Sequence, residues 1–347
     1  MGESISSTCG FVGAERMADA DIRPMGNALR VILVSLRACI RWLRTERAEV
    51  SRPGQFLRRV AMVPPFGVLL VILRARAWMY GPVEFSVVAS TGDRFRCRPP
   101  DFIQMYLWLF DIWEPDLTAF ISSRLAPGDA FIDVGANIGF FSVLAARCVG
   151  AKGSVLAVEA SPSVFASLSE TVAANGHGGV IRSANKAAAA ERGMLNVYSG
   201  PSHNIGLTTT VQTRGFGQQA VVEALPLDDL MTRDELRRAR LVKIDVEGGE
   251  DAVLAGMSRF VEQCRDDAEI LIELSPLWWT DDTKRPIDVL QPLFDVGFHA
   301  YEMDNNYWPW RYMWPRCVRR PRRCTRDLTV RVKRLDLVMS RQDAEQL

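Results

Sequence analysis

Hydrophobic and polar positions change period several times along this chain of 347 residues. From Leu29 onward, Ile32, Leu33, Leu36, Ile40 and Leu43 recur at helical spacing while Arg30, Arg37, Arg41 and Arg44 take other faces, which predicts a basic amphipathic helix. The run Val60 to Leu73 is apolar, but it is shorter than the roughly 20 residues of a spanning helix, and Pro64-Pro65 interrupts it. Pro82 to Cys97 has strand-like composition around a Thr91-Gly92-Asp93 turn and predicts a hairpin. Beyond Pro99-Pro100 the pattern becomes α/β. A helix over 114–125 leads through Pro127-Gly128-Asp129 into strands near 130–134, 154–159, 179–184, 241–245, 269–274 and 298–303. Helical segments at 139–149, 162–175, 248–263 and 286–296 separate most of them, which implies parallel strands joined by right-handed crossovers. Between 185 and 230 the pattern is one of short strands and turns, an insertion expected to cover one end of the sheet. Leu335 to Met339 is a last apolar run, expected as an antiparallel strand at the sheet edge.

Composition bounds the class without deciding it. Hydrophobic content of 48% and charged content of 24% are those of an ordinary folded protein, and the balance excludes a polytopic membrane protein. Net charge is +1, and the excess of Arg over five Lys reads as genomic base composition rather than nucleic-acid binding. Seven scattered Cys without a CxxC pair suggest a reducing cytoplasm and no structural zinc; no metal site is expected. Residues 1–26 are small and polar and read as a disordered or over-long start, with Met17 and Met25 as alternative initiators. The hydrophobic stretches lie too deep in the chain for a signal peptide. An N-terminal extension over 27–100 then precedes a catalytic domain over 101–341.

Chemistry concentrates at strand ends. Asp133-Val134-Gly135-Ala136-Asn137-Ile138-Gly139 follows an apolar strand and opens a helix, the arrangement of a cofactor turn. Asn137 replaces the second glycine of a dinucleotide fingerprint, which argues against a pyrophosphate and for a smaller ligand such as S-adenosylmethionine. Glu159 closes the next strand, where a carboxylate can accept hydrogen bonds from two ribose hydroxyls, and Ala160 follows it. Leu241 to Ile244 is a short strand ending in Asp245, with Val246-Glu247-Gly248 at a helix entrance.

Together, Asp133 to Gly139, Val158 to Pro162 and Lys243 to Gly248 resemble the FkbM family of S-adenosylmethionine-dependent methyltransferases. The resemblance extends through Trp113-Glu114-Pro115, Leu227-Asp228-Asp229-Leu230, Val253 to Gly256 and Ile272-Glu273, and covers roughly 105–305. It implies an α/β class I methyltransferase fold: a Rossmann-like three-layer sandwich, with a mostly parallel seven-stranded sheet and an antiparallel last strand. It also implies O-methylation of a hydroxyl on a glycan or secondary metabolite. Asp133, Gly135, Ala136, Asn137, Gly139, Glu159, Ala160 and Asp245 are the expected cofactor residues. Asp245, Glu247 and His203 are the candidates for acceptor positioning and proton removal, Asp245 and Glu247 having a competing reading as helix-entry carboxylates.

Two segments lie outside the pattern. The helix from Leu29 reads first as docked on the catalytic domain and second as attached to a membrane surface, so the expected location is the cytoplasm or its membrane face. Trp308, Trp310, Tyr312 and Trp314 alternate with Pro and Arg in the segment 305–326, which fits sugar or base stacking, a place at a membrane interface, or packing on the domain. Two other functional readings are a catalytically silent module using these segments for membrane or partner binding, and an RNA methyltransferase. The intact cofactor motifs disfavour the first and the near-neutral charge the second; no nucleic-acid partner is expected.

Overall fold

The computed structural model describes residues 26–44, 52–200, 208–212, 216–313 and 318–347. Two helices open it, α1 (Asn27–Leu43) and α2 (Arg52–Tyr80), followed by the hairpin β1 (Phe85–Val88) and β2 (Arg94–Cys97). Helices α3 (Phe102–Phe110) and α4 (Pro115–Arg124) lead into β3 (Ala130–Val134), α5 (Phe140–Val149), β4 (Ser154–Val158), α6 (Pro162–Ala174) and β5 (Ile181–Ala184). A small sheet follows: β6 (Ala187–Ala188), β7 (Gly193–Ser199), β8 (Thr208–Thr209) and β9 (Gly217–Leu225). The chain then runs through α7 (Leu227–Leu230), α8 (Arg233–Arg238), β10 (Ala239–Ile244), α9 (Glu250–Ala255), α10 (Ser258–Gln263) and β11 (Glu269–Leu274). It finishes with α11 (Pro286–Phe294), β12 (His299–Glu302), α12 (Pro309–Tyr312), β13 (Arg322–Arg323) and β14 (Leu335–Ser340).

Among the described residues the main sheet has eight strands in the order β13-β12-β14-β11-β10-β3-β4-β5. β3, β4, β5, β10 and β11 pair in parallel, and β14 is antiparallel to both its neighbours. The antiparallel last strand is therefore present, but it is inserted between β11 and β12 instead of lying at the edge. The edge is taken by the two-residue β13, which makes eight strands where seven are implied. Each core strand is apolar on both sides, as a sheet covered on two faces requires. In β3, Phe131 faces one core with Val143 of α5 and Leu168 of α6, whereas Ile132 and Val134 face a second with Val253 of α9 and Leu290 of α11. This alternation makes the three layers.

Three local differences have physical causes. The Val60 to Leu73 run belongs to one long helix, with Pro64 and Pro65 inside it. Their missing N–H groups would have met Val60 and Ala61 on the exposed side, so the freed carbonyls remain accessible and the helix continues. The stretch 248–263 is two helices: the first is capped by Gly256, which as the poorest helix former after proline favours a stop, and where a Cβ would stand 2.0 Å from the Ala189 carbonyl oxygen. α3 has no helical period to read, since its residues Gln104 to Phe110 are all buried.

Candidate active site

A cavity of about 530 Å³ opens at the carboxyl ends of β3, β4, β10 and β11, where ligands bind in parallel α/β sheets. Gly135, Ala136, Asn137, Glu159, Ala160, Asp245 and Glu247 all line it. The fold thus brings together residues up to 112 positions apart in sequence.

The glycine turn is built by contact between strands. Gly135 has φ 78°, and a Cβ there would lie 1.8 Å from the Asp245 carbonyl oxygen. Only glycine lets the turns after β3 and β10 approach this closely. Asn137 also adopts the left-handed region, at φ 52°, which Asn tolerates better than most residues. The turn's N–H groups are satisfied internally. Those of Gly135 and Ala136 both donate to the Val158 carbonyl at 2.9 Å, that of Asn137 to Glu159 Oε2 at 2.9 Å, and that of Ile138 to Asn137 Oδ1 at 2.8 Å. This is no amide cradle for phosphate; it is a shelf that holds a carboxylate. Glu159 also accepts from Ser161 N at 2.8 Å, which leaves lone pairs on both of its oxygens. Burial pushes its carboxyl up to about 7, against the two backbone donors.

Two of the expected cofactor residues stand behind this shelf. Asp133 is fully buried and does not line the cavity; its Oδ2 accepts from Ser142 Oγ at 2.6 Å, and its Oδ1 has no hydrogen-bond partner. Gly139 packs on α6, where a Cβ would meet Leu168 Cδ1 at 2.6 Å. Both shape the turn from behind.

The same cavity holds an acidic cluster. Asp245, Glu247 and Glu273 carry carboxylate oxygens within 4.8 Å of one another. The sequence offers no such ligand-like spacing, because Glu273 comes from a different strand, β11. Glu247 has φ 50°, a strained backbone for a non-glycine residue, and its Oε2 accepts from Ser275 Oγ at 3.2 Å. Burial, then the charges of Asp245 and Glu250, push the Glu247 carboxyl up to about 7. Glu250 itself is turned inward, accepting from Gly248 N at 2.8 Å and Trp279 Nε1 at 2.8 Å, so it serves as structure.

Several functional candidates escape a reading of the sequence alone. Lys243 is buried on β10, with Nζ 2.9 Å from Asp245 Oδ2 and 3.9 Å from Asp133 Oδ1. Burial opposes its charge, but Asp245, Asp133 and Glu114 outweigh it and hold the ammonium above its usual pKa. The signal is present in Lys243-Ile244-Asp245: two residues apart on a strand, the side chains share a face. Glu114, at the N-cap of α4 with φ 40°, accepts from Tyr307 Oη at 2.7 Å. Burial, then Asp245 and Asp336, raise its carboxyl to about 7. Tyr307 Oη also lies 3.2 Å from Glu273 Oε2, and Arg334 sits over the Tyr307 ring at 4.1 Å. Glu273 pairs in register with Asp336 of β14, and burial followed by Asp245 and Asp336 holds its carboxyl well above the usual range.

His203 lies outside the described residues. His177 stands 3.9 Å from Asp93, and His299 contacts Arg323 at 2.9 Å; neither lines the cavity. In the Trp/Arg-rich segment, Tyr312 is fully buried against Tyr106 and Phe110, whereas Trp308 is exposed; Trp314 and Cys317 lie outside the described residues. Arg311 clasps the buried Asp116, Nε to Oδ2 at 2.8 Å. This part of the segment packs on the domain.

The model of the methyltransferase FkbM domain matches residues 133–300, from the first turn residue to the middle of β12. The chain carries an FkbM methyltransferase domain. It is accordingly a methyltransferase, and its methyl donor is S-adenosylmethionine. None of the curated proteins matches the sequence. Solved structures resemble it distantly. An S-adenosylmethionine-dependent O-methyltransferase from Thermotoga maritima is 13% identical, with a TM-score of 0.36 over 78% of this chain and 82% of that one. Aeropyrum pernix fibrillarin, with natively bound S-adenosyl-L-methionine, is 13% identical with a TM-score of 0.36, over 75% and 83%. A precorrin-6y C5,15-methyltransferase from Geobacter metallireducens is 12% identical with a TM-score of 0.33, over 64% and 86%.

Proposed function

We propose that this methyltransferase acts on oxygen, transferring the methyl group to a hydroxyl of a glycan or secondary metabolite. The observation that supports the reading is one cavity lined both by Glu159, whose two oxygens keep lone pairs beside the glycine turn, and by Glu247, held by Ser275 and pushed up to about 7 by burial. A base near neutrality suits removal of a proton from an alcohol as it is alkylated.

The cavity suits the donor's chemistry. Its turn offers internally satisfied amides rather than free donors, which argues against a pyrophosphate, and Glu159 presents free carboxylate lone pairs beside that turn. S-adenosylmethionine, when bound, supplies an electrophilic methyl group on a positively charged sulfur. Glu159 would hold the ribose hydroxyls through its remaining lone pairs, with Gly135, Ala136, Asn137 and Ala160 forming the wall beside it. Lys243 fixes Asp245 at 2.9 Å and so orients it towards the cavity. Glu247, steadied by Ser275, takes the acceptor proton; Asp245 holds the acceptor near the transfer position, where alignment lowers the barrier.

Incubation with methyl-labelled S-adenosylmethionine and panels of glycans and hydroxylated metabolites tests the reading. Label in an alkali-stable ether is the expected product. Label on nitrogen or carbon would overturn O-methylation while leaving methyl transfer intact, and label in RNA would overturn the glycan or metabolite acceptor.

A further inference from the structure

Helices α1 and α2 hold a surface that the methyl-transfer site does not use. α1 is fastened to the catalytic domain: Arg41 Nη1 donates to Asp111 Oδ1 at 2.9 Å, Arg37 Nη2 lies 3.4 Å from the same oxygen, and Arg44 Nη1 donates to the Phe110 carbonyl at 2.6 Å. α2 packs along α1 and buries Met62, Leu69 and Leu73. Its opposite side does not turn polar. Phe56, Val60, Val63, Val71 and Trp78 follow one another at steps of three, four, seven or eight residues, and all are at least half exposed. On the same helix Leu57, Val68, Met79 and Tyr80 are exposed as well. Such a stripe exceeds the scattered apolar residues a soluble surface normally shows.

Charge and aromatic placement say what covers it. Neither helix contains an Asp or Glu, whereas Arg30, Arg37, Arg41, Arg52, Arg58, Arg59, Arg74 and Arg76 lie within them. The arginines of α2 bracket the charge-free stretch 60–73, and Trp42, Phe56, Trp78 and Tyr80 lie near its ends, each more than 60% exposed. Apolar centre, aromatic ends and a uniformly basic margin are the complement of an anionic bilayer surface. We propose that α1 and α2 form an in-plane platform that seats the enzyme on a membrane rich in anionic lipid, α2 lying along the headgroup boundary.

The segment Pro53–Tyr80 is long and apolar enough by composition to cross a bilayer. Two features favour lying over spanning. The charge-free stretch 60–73 rises only about 21 Å at 1.5 Å per residue, short of a hydrocarbon core of about 30 Å. α2 is also held against α1, whose Arg37 and Arg41 are committed to Asp111 of the catalytic domain, and lifting α2 into the bilayer would break that packing.

Flotation of the full chain, synthesised in the presence of vesicles, tests the platform. The vesicles are phosphatidylcholine alone or phosphatidylcholine with about a third phosphatidylglycerol. The platform predicts flotation with the anionic vesicles, release by high salt and alkaline carbonate, and roughly tenfold or greater loss in Val63→Asp/Val68→Asp/Val71→Asp. These positions are exposed, so an unchanged thermal midpoint of the triple variant confirms that its fold is intact. Failure to float with either vesicle overturns the proposal. Retention through salt and carbonate overturns it in favour of a spanning helix. A lipid-free dimer, split by the triple variant and not floating, assigns the stripe to a second copy of the chain and overturns it too.

Discussion

Replacing Gly135 with alanine probes the contact that shapes the site. The new Cβ would stand 1.8 Å from the Asp245 carbonyl oxygen and 2.8 Å from its carbonyl carbon, both backbone atoms that no rotamer change can move aside. Reaching ordinary contact at 3.4 Å requires the turns after β3 and β10 to part by about 1.6 Å. Alanine at φ 78° adds a left-handed penalty of about 1 kcal/mol, and the overpacking about 1–3 kcal/mol more. The expected loss of stability is about 3 kcal/mol, or roughly 6–12 °C in thermal midpoint for a domain of this size. Because Gly135 and Asp245 form adjoining parts of the cavity wall, S-adenosylmethionine affinity falls at least about tenfold, measured by isothermal titration. Gly139→Ala is the control. Its φ of 86° carries the same left-handed penalty of about 1 kcal/mol, but its Cβ would press at 2.6 Å only on the movable tip of Leu168 and Gly139 does not line the cavity, so stability falls by about 2–3 kcal/mol while affinity holds. A Gly135→Ala enzyme that melts within about 2 °C of the parent and binds the donor equally well would refute the close-approach argument.

Glu247→Gln should lower kcat by about a hundredfold or more with donor affinity unchanged, and should abolish the rise in rate as pH passes through about 7. A preserved pH profile in single-turnover assays would remove Glu247 as the base. Lys243→Met strands Asp133 and Asp245 beside each other without their cation, and denaturant unfolding should show a loss of about 3–5 kcal/mol, partly restored by adding Asp245→Asn. Arg311→Met leaves Asp116 buried without its guanidinium and should cost a similar amount, with donor affinity preserved. For Glu159 the sign is set by a folded-state pKa above the unfolded one: the folded state binds the proton more tightly. Its contribution is therefore most favourable below about 4.5 and is lost as pH rises to about 7. Melting curves of the donor-free protein should fall over this window, and Glu159→Gln should flatten the decline.

The strands that carry the site were legible because their apolar runs end in acidic residues at turns. Asp133, Glu159 and Asp245 are visible in this way, and with them the parallel sheet and the FkbM resemblance. Spatial order was not. Nothing in Leu335 to Met339 states that this strand enters between β11 and β12, since strand insertion is decided by packing on both faces of the sheet. The Glu114–Tyr307–Glu273–Arg334 group was equally hidden, because Tyr307 meets Glu114 across 193 positions and Glu114 reads as a helix-entry residue. Lys243 was overlooked for a different reason. A single lysine in an apolar strand reads as an exception until its same-face partner Asp245 is considered. The glycine turn kept its place and changed its job: it brings two strand ends together and aligns a carboxylate, while its amides serve the fold.

Helix α2 shows the opposite error. Two adjacent prolines and a short apolar run argued for an interruption, yet a helix whose proline side faces outward loses only hydrogen bonds that solvent or headgroups can replace. The length of the helix follows from its packing on α1, which the sequence period alone does not convey.

Donor recognition through Glu159 is the interaction on which the site's function depends most. Isothermal titration of S-adenosylmethionine into the parent protein and into Glu159→Gln is the direct measurement. One site per chain in the parent, weakened about tenfold or more in the variant because an amide NH2 replaces a carboxylate oxygen that accepts from the ribose hydroxyls, is the predicted result. No binding to the parent, or equal binding to both proteins, would contradict it.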